Sequence, residues 1–157
     1  MFNHEPENYI CPICIGVEGI ENDHTLIKQQ DIVYKDELVT AFIGSFFMGN
    51  NPGHVIVVPN KHYENIYDLP ANESERIAEI AKLSAIALKN IRNCSGIMIL
   101  QNNEPASEQH AFHYHMHVFP RFEGDKLHEL MHNKELGSQE DRKSYADPIR
   151  EYIDNNK

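Results

Sequence analysis

The sequence predicts an α+β fold: an antiparallel five-stranded sheet, one long helix packed on it, and a short helix near the C-terminus. Three observations carry that expectation. Short β-branched and apolar runs recur between turn residues, a single segment over residues 73–92 has helical periodicity instead, and beyond residue 125 the chain turns charged and polar.

The elements follow in order. Residues 32–34 and 38–43 are β-type runs separated by Lys35-Asp36-Glu37, the pattern of a hairpin. Residues 44–53, rich in Gly, Asn and aromatic side chains, read as a loop. Val55-Ile56-Val57-Val58 reads as a buried strand stopped by Pro59, because proline has no N–H to donate to a ladder. Asn72 has the character of a helix cap, with Glu75 placed to complete a capping box. Ile77, Ile80, Ala81, Ser84, Leu88 and Ile91 then recur at helical spacing until Asn93-Cys94-Ser95-Gly96 ends the helix. Residues 97–100 and 111–119 supply the last two strands. The expected organisation is one main domain over residues 1–125 and a polar tail over 126–157. Residues 145–153 of that tail suggest a short helix that docks on the domain or on a second subunit.

Composition narrows the function. The chain has 157 residues, 14 basic against 24 acidic, and a formal net charge of −10 at pH 7. That is enough chain for a real core, and the wrong charge for gripping long nucleic acids, although a small nucleotide remains open. No apolar run is long enough to span a bilayer, and residues 1–9 lack the basic start and apolar middle of a signal peptide, so the expected location is cytoplasmic. Three cysteines do not make a secreted disulfide framework.

The chemistry concentrates in two places. Histidines occupy every second position in His113-Tyr114-His115-Met116-His117, so on a strand all three imidazoles project from one face. Three such groups repel one another when charged and pack poorly as core, whereas each is a competent nucleophile, acid or metal ligand. The second place is Cys11-Pro12-Ile13-Cys14, where a short turn holding two thiolates presets one edge of a zinc tetrahedron. With no second CxxC, zinc would recruit histidines, and His62 with one histidine of the run are the candidates. Two rival metal readings exist. One is a catalytic zinc on His113, His115 and His117, which leaves Cys11 and Cys14 unused. The other is His128-Glu129-Leu130-Met131-His132, which satisfies the HExxH pattern but reads as a solvated helical turn in the polar tail. Cys94 reads as a buried or half-buried thiol at a helix end, and His4, His24 and His110 read as surface residues.

The residues from Gln109 through Arg121 resemble the signature of the histidine triad (HIT) family, in which Gln precedes a His-x-His-x-His run. Asn102-Asn103 resembles that family's Asn-rich loop, residues 52–62 its PGHxLVIPKxH strand, and residues 33–37 with Ala41-Phe42 its first hairpin. Cys11 and Cys14 are similar to the zinc-bearing branch.

The resemblance implies a HIT-like fold and a nucleotide hydrolase or nucleotidyl transferase, of the phosphoramidase or dinucleoside polyphosphate hydrolase type. His115 would attack the α-phosphorus, forming a covalent nucleotidyl-histidine. His117 would serve as donor, Gln109 and Asn102 would position phosphate or leaving group, and His54 would be brought against the site. It also implies a structural zinc on Cys11, Cys14, His62 and His113, no organic cofactor, and a homodimer. Departures accompany it. Glu108 stands where the family usually has Gly, Glu104-Pro105 follows the paired asparagines, and no Asp or Asn occurs in residues 44–48, where many members hold the ribose. Phe46 and Phe47 there suit either a base or the core. A catalytically weak, zinc-stabilised nucleotide-binding or partner-binding module is the alternative expectation.

Overall fold

The computed structural model describes residues 1–157. In chain order it contains α1 (Pro12–Val17), β1 (Ile32–Lys35), β2 (Val39–Ile43), β3 (Phe46–Met48), β4 (Val55–Pro59), α2 (Ala71–Arg92), β5 (Gly96–Gln101), β6 (Met116–Arg121), α3 (Leu127–Leu130), β7 (Lys134–Leu136) and α4 (Gln139–Asn156). Five strands form one antiparallel sheet in the order β1-β2-β4-β6-β5, and β3 pairs with β7 in a separate ribbon. The fold class is therefore the expected one. No helix is long and apolar enough to cross a membrane.

The sheet is covered on both faces, which is why its central strands are almost wholly apolar. Alternate residues Val39, Ala41, Ile43, Val55, Val57 and Val118 pack under Ile77, Ile80, Ala81 and Leu88 of α2 and Ala146, Ile149 and Ile153 of α4. Each fully buried Val, Leu or Ile contributes about 1.5–3 kcal/mol, so this layer dominates the stability of the fold. The opposite face puts Phe42 and Val58 against Cys11, Ile13, Val17 and Ile27 of the N-terminal arm. Strand alternation assigns His54, Ile56 and His117 to that second face, away from the helices.

Several local expectations are corrected. α2 starts at Ala71 with Pro70 as its cap, and no side chain caps it. Asn72 and Glu75 therefore lie inside the first two turns, where Pro70 has already fixed the chain's entry. Residues 44–53 are not all loop, because β3 lies within them and pairs with β7 through Phe46↔Leu136 and Phe47↔Glu135. The last strand begins at Met116 instead of residue 111, since residues 111–113 bend to bring His113 toward the N-terminal arm. The C-terminal helix is longer than residues 145–153: Ser138 accepts a bond from the Asp141 amide (3.0 Å) at its start, and it runs to Asn156 through Pro148.

The C-terminal helix docks on its own chain. Arg142 is buried and bonds Asp31 (2.8 Å), the Leu26 carbonyl (2.8 Å) and Ser45 Oγ (3.1 Å). One guanidinium thus ties α4 to the arm and to the turn after β2.

Candidate active site and metal centre

The turn carrying Cys11 and Cys14 is the start of α1, where Cys11 Sγ accepts the Cys14 amide (3.4 Å) and Pro12 takes the first helical position. His113 Nδ1 lies 3.4 Å from each sulfur, and His62 Nδ1 lies 3.3 Å from Cys14 Sγ. All four ligand atoms fall within 4.8 Å of one another. A tetrahedral zinc places thiolate sulfur and imidazole nitrogen about 3.6 Å apart, so the cluster closes around that ion with little movement. The far sides of both rings are engaged. His113 Nε2–H donates to the Pro59 carbonyl (3.0 Å), and His62 Nε2 meets Glu5 (3.1 Å), which leaves both Nδ1 lone pairs for a metal. The Cys14 thiol hydrogen-bonded to Cys11, with His113 beside it, pulls the Cys11 thiol down. The Cys11 sulfur in turn pushes Cys14 up. Two thiols that cannot both ionise alone are a donor set completed by a divalent cation. His115 and His117 lie outside this cluster, which excludes the reading with all three histidines on one zinc. His128 lies in the single turn of α3, His132 lies beyond its end, and the two gather no third ligand.

The remaining histidines form a second group beside the first. His115 Nδ1–H donates to the His113 carbonyl (2.7 Å), which leaves its Nε2 lone pair free. The His115 and His117 rings stand 5.1 Å apart. His117 Nδ1 is 3.0 Å from His54 Nε2, and His54 stacks on Phe119 at 4.3 Å. The register that pairs Val55 with Val118 and Ile56 with His117 dictates this, because it sets His54 beside the start of the pair. Burial pushes His54 down to about 3, with His115 adding to it. Burial likewise lowers His115 and His117, so all three rings are neutral at pH 7.

His54, His115 and His117 open on a cavity of about 380 Å³, a size suited to a small molecule. Phe42, Phe46, Ile56 and Ala111 supply apolar walls, and Asp23, His24, Thr25, Leu26 and Ile27 close one side. This loop was not legible as part of a site. His24 is exposed, as its sequence context suggested, yet it faces the cavity together with Asp23.

Two of the expected site residues lie elsewhere. Gln109 is buried: its Oε1 accepts the Glu104 amide (2.6 Å), and its Nε2 donates to the carbonyls of Glu64 (2.6 Å) and Ala111 (3.1 Å). It braces the loop before the triad and does not line the cavity. Asn102 does not line it either. Glu104 and Glu108 both adopt positive φ, at 68° and 64°, a region that favours glycine.

Comparison with known proteins places this geometry. Residues 26–124 match the family model described as the HIT domain. The chain belongs to the HIT family. It is 32% identical over 116 residues to an uncharacterized HIT-like protein of Saccharolobus solfataricus, covering 74% of this chain and 77% of the other. A hypothetical histidine triad nucleotide-binding protein from Sulfolobus tokodaii shares 26% identity with a TM-score of 0.73, covering 92% of this chain and 93% of that one. A zinc-bound histidine triad family protein from Mycobacterium smegmatis shares 25% identity with a TM-score of 0.72, over 92% of this chain and 94% of that one. For this HIT protein the expected zinc thus rests on two observations: a zinc-bound structural relative, and a Cys2His2 cluster of suitable dimensions.

Proposed function

We propose that this HIT protein cleaves a small nucleotide phosphoramidate, anhydride or ester at its α-phosphate through a covalent intermediate on His115. The observation that carries the reading is the free Nε2 of His115. The ring is neutral, oriented by its bond to the His113 carbonyl, and open to a cavity of nucleotide size. A neutral imidazole attacks phosphorus, and the N–P bond it forms is itself readily broken by water, so one hard displacement becomes two easier ones.

The neighbouring pair supplies a hydrogen-bond donor. His54 Nδ1 is buried and has no partner. A proton there would be an orphaned donor, whereas a proton on Nε2 is accepted by His117 Nδ1; we assign it to Nε2 because buried N–H groups are rarely left unpaired. His117 then carries its own proton on Nε2, toward the cavity. In the first step His115 Nε2 bonds phosphorus and the bond to the leaving group breaks; His117 keeps its Nε2 proton and hydrogen-bonds the departing atom, which takes its proton from solvent. In the second, water bonds phosphorus and releases its proton to solvent, while the N–P bond returns its electron pair to His115.

Cys11, Cys14, His62 and His113 would hold the zinc, which fills its four positions with protein ligands and supplies a structural tie between the arm and the triad. The second step needs only water, and no organic cofactor enters the chemistry. A homodimer is the proposed assembly, since β5 ends the sheet with an unpaired backbone edge and a half-exposed Ile99. The placement of Gln109 and Asn102 outside the cavity favours the second reading, a nucleotide-binding module with weak turnover.

One experiment separates them. Adenosine and guanosine phosphoramidates, dinucleoside polyphosphates and nucleotide sugars labelled at the α-phosphate are turned over and quenched in alkali, which preserves phosphohistidine. Label on the wild type, none on His115→Ala, and a loss of at least about 1,000-fold in turnover are expected for removal of a covalent nucleophile. Equal turnover in the two proteins refutes the mechanism, and tight nucleotide binding without turnover establishes the binding module.

A further inference from the structure

We propose that Asp23, on the loop of the N-terminal arm, is the residue that binds the sugar hydroxyls of the nucleotide and so selects ribonucleotides. The inference rests on the nucleotide reading above and adds the residue that orients the nucleoside.

The argument is one of elimination within the cavity. A phosphate held at His115 leaves the sugar and base to be bound by the remaining lining groups. A ribose diol presents two O–H donors side by side, and a carboxylate, with two oxygens and no proton, is the side chain that accepts both. Asp23 is the single charged side chain among the lining residues, and it takes part in no hydrogen bond or ion pair. His24 also faces the cavity, but a neutral imidazole offers one acceptor nitrogen where the diol presents two donors, and the remaining polar side chains are committed. Thr25 Oγ1–H donates to the Pro12 carbonyl (2.7 Å) and accepts the Ile27 amide (3.2 Å). Ser45 Oγ accepts from Arg142 (3.1 Å), and His54 and His117 hold each other. At Gly44 no side-chain acceptor fits, because a Cβ there would lie 2.5 Å from His54 Nε2.

The loop is built to hold position. The Asn22 side chain accepts the His24 amide (2.9 Å), Thr25 is tied to Pro12, and buried Arg142 grips the Leu26 carbonyl (2.8 Å). Asp23 is thus an exposed residue on a braced turn, so its orientation costs little on binding. Being exposed, it is also replaceable without disturbing the core.

The test is equilibrium binding of AMP and 2′,3′-dideoxy-AMP, and of the guanosine pair, to the full-length wild type, Asp23→Asn and Asp23→Ala. Monophosphates are used because they do not turn over. The wild type should bind the ribose form about 10- to 100-fold more tightly, the range for hydrogen bonds to a charged group. In Asp23→Ala the ratio should fall to within about 2-fold, while affinity for the dideoxy form stays close to wild type; Asp23→Asn should fall between. Using a ratio cancels any general effect of removing a negative charge. Discrimination that survives in Asp23→Ala, or that is absent from the wild type, overturns the assignment while leaving the nucleotide reading intact. Failure of all four nucleotides to bind the wild type overturns both.

Discussion

Replacing Gly44 by alanine tests the packing on which the histidine group depends. A Cβ at this position would lie 2.5 Å from His54 Nε2 and 3.1 Å from Nδ1, against an ordinary carbon contact of about 3.5–4.0 Å. The ring cannot retreat, since it is buried, stacks on Phe119 at 4.3 Å and holds His117 at 3.0 Å. Nor is the backbone free, because the Gly44 amide bonds the His54 carbonyl (2.9 Å) across the β2–β4 ladder. Overpacking of this kind costs about 1–3 kcal/mol, and rotating His54 away forfeits a buried hydrogen bond worth about 1 kcal/mol. Gly44→Ala should therefore lose about 2–3 kcal/mol in urea unfolding and lower the turnover of substrates whose leaving group needs a hydrogen-bond donor. The double-mutant cycle isolates the cause. In a His54→Ala background the clash is gone, and Gly44→Ala should be neutral or gain up to about 1 kcal/mol from the reduced freedom of the unfolded chain. Equal destabilisation in both backgrounds would refute the argument and place the cost in the backbone.

Two further outcomes are expected. Purified protein should carry about one zinc per chain by elemental analysis, and Cys14→Ser or chelation should remove it and lower the melting temperature, as follows for any ion that binds only the folded state; full zinc content in Cys14→Ser would exclude this cluster. Glu108→Gly should stabilise the fold by about 1 kcal/mol in denaturant unfolding, because the left-handed conformation costs an ordinary residue about 1–2 kcal/mol and glycine little; a loss of stability would mean that the glutamate side chain makes a compensating contact.

What was legible in the sequence was what repeats locally. The apolar run over residues 55–58 reports a buried strand, the alternation along residues 113–118 and the helical spacing from Ile77 to Leu88 each report a face, and together they are enough to predict a sheet with a helix upon it. The CxxC turn and the alternating histidines were legible for the same reason, as short spacings of unusual residues. What was hidden depends on partners distant in the chain. β3 is a strand because β7 lies beside it, and no feature of residues 46–48 announces residues 134–136. Gln109 is equally able to hold phosphate or backbone; only the positions of Glu104, Glu64 and Ala111 decide for backbone. The division of labour among the histidines is the clearest instance. Spacing makes His113, His115 and His117 look equivalent, yet the bend over residues 111–113 turns His113 toward Cys11 and Cys14 and leaves its carbonyl to orient His115. One residue thus faces the metal cluster with its side chain and the nucleophile with its backbone. Loss of order at the cluster reaches His115 along two residues of backbone and through this 2.7 Å bond, which couples a structural site to the chemistry without placing it in the reaction.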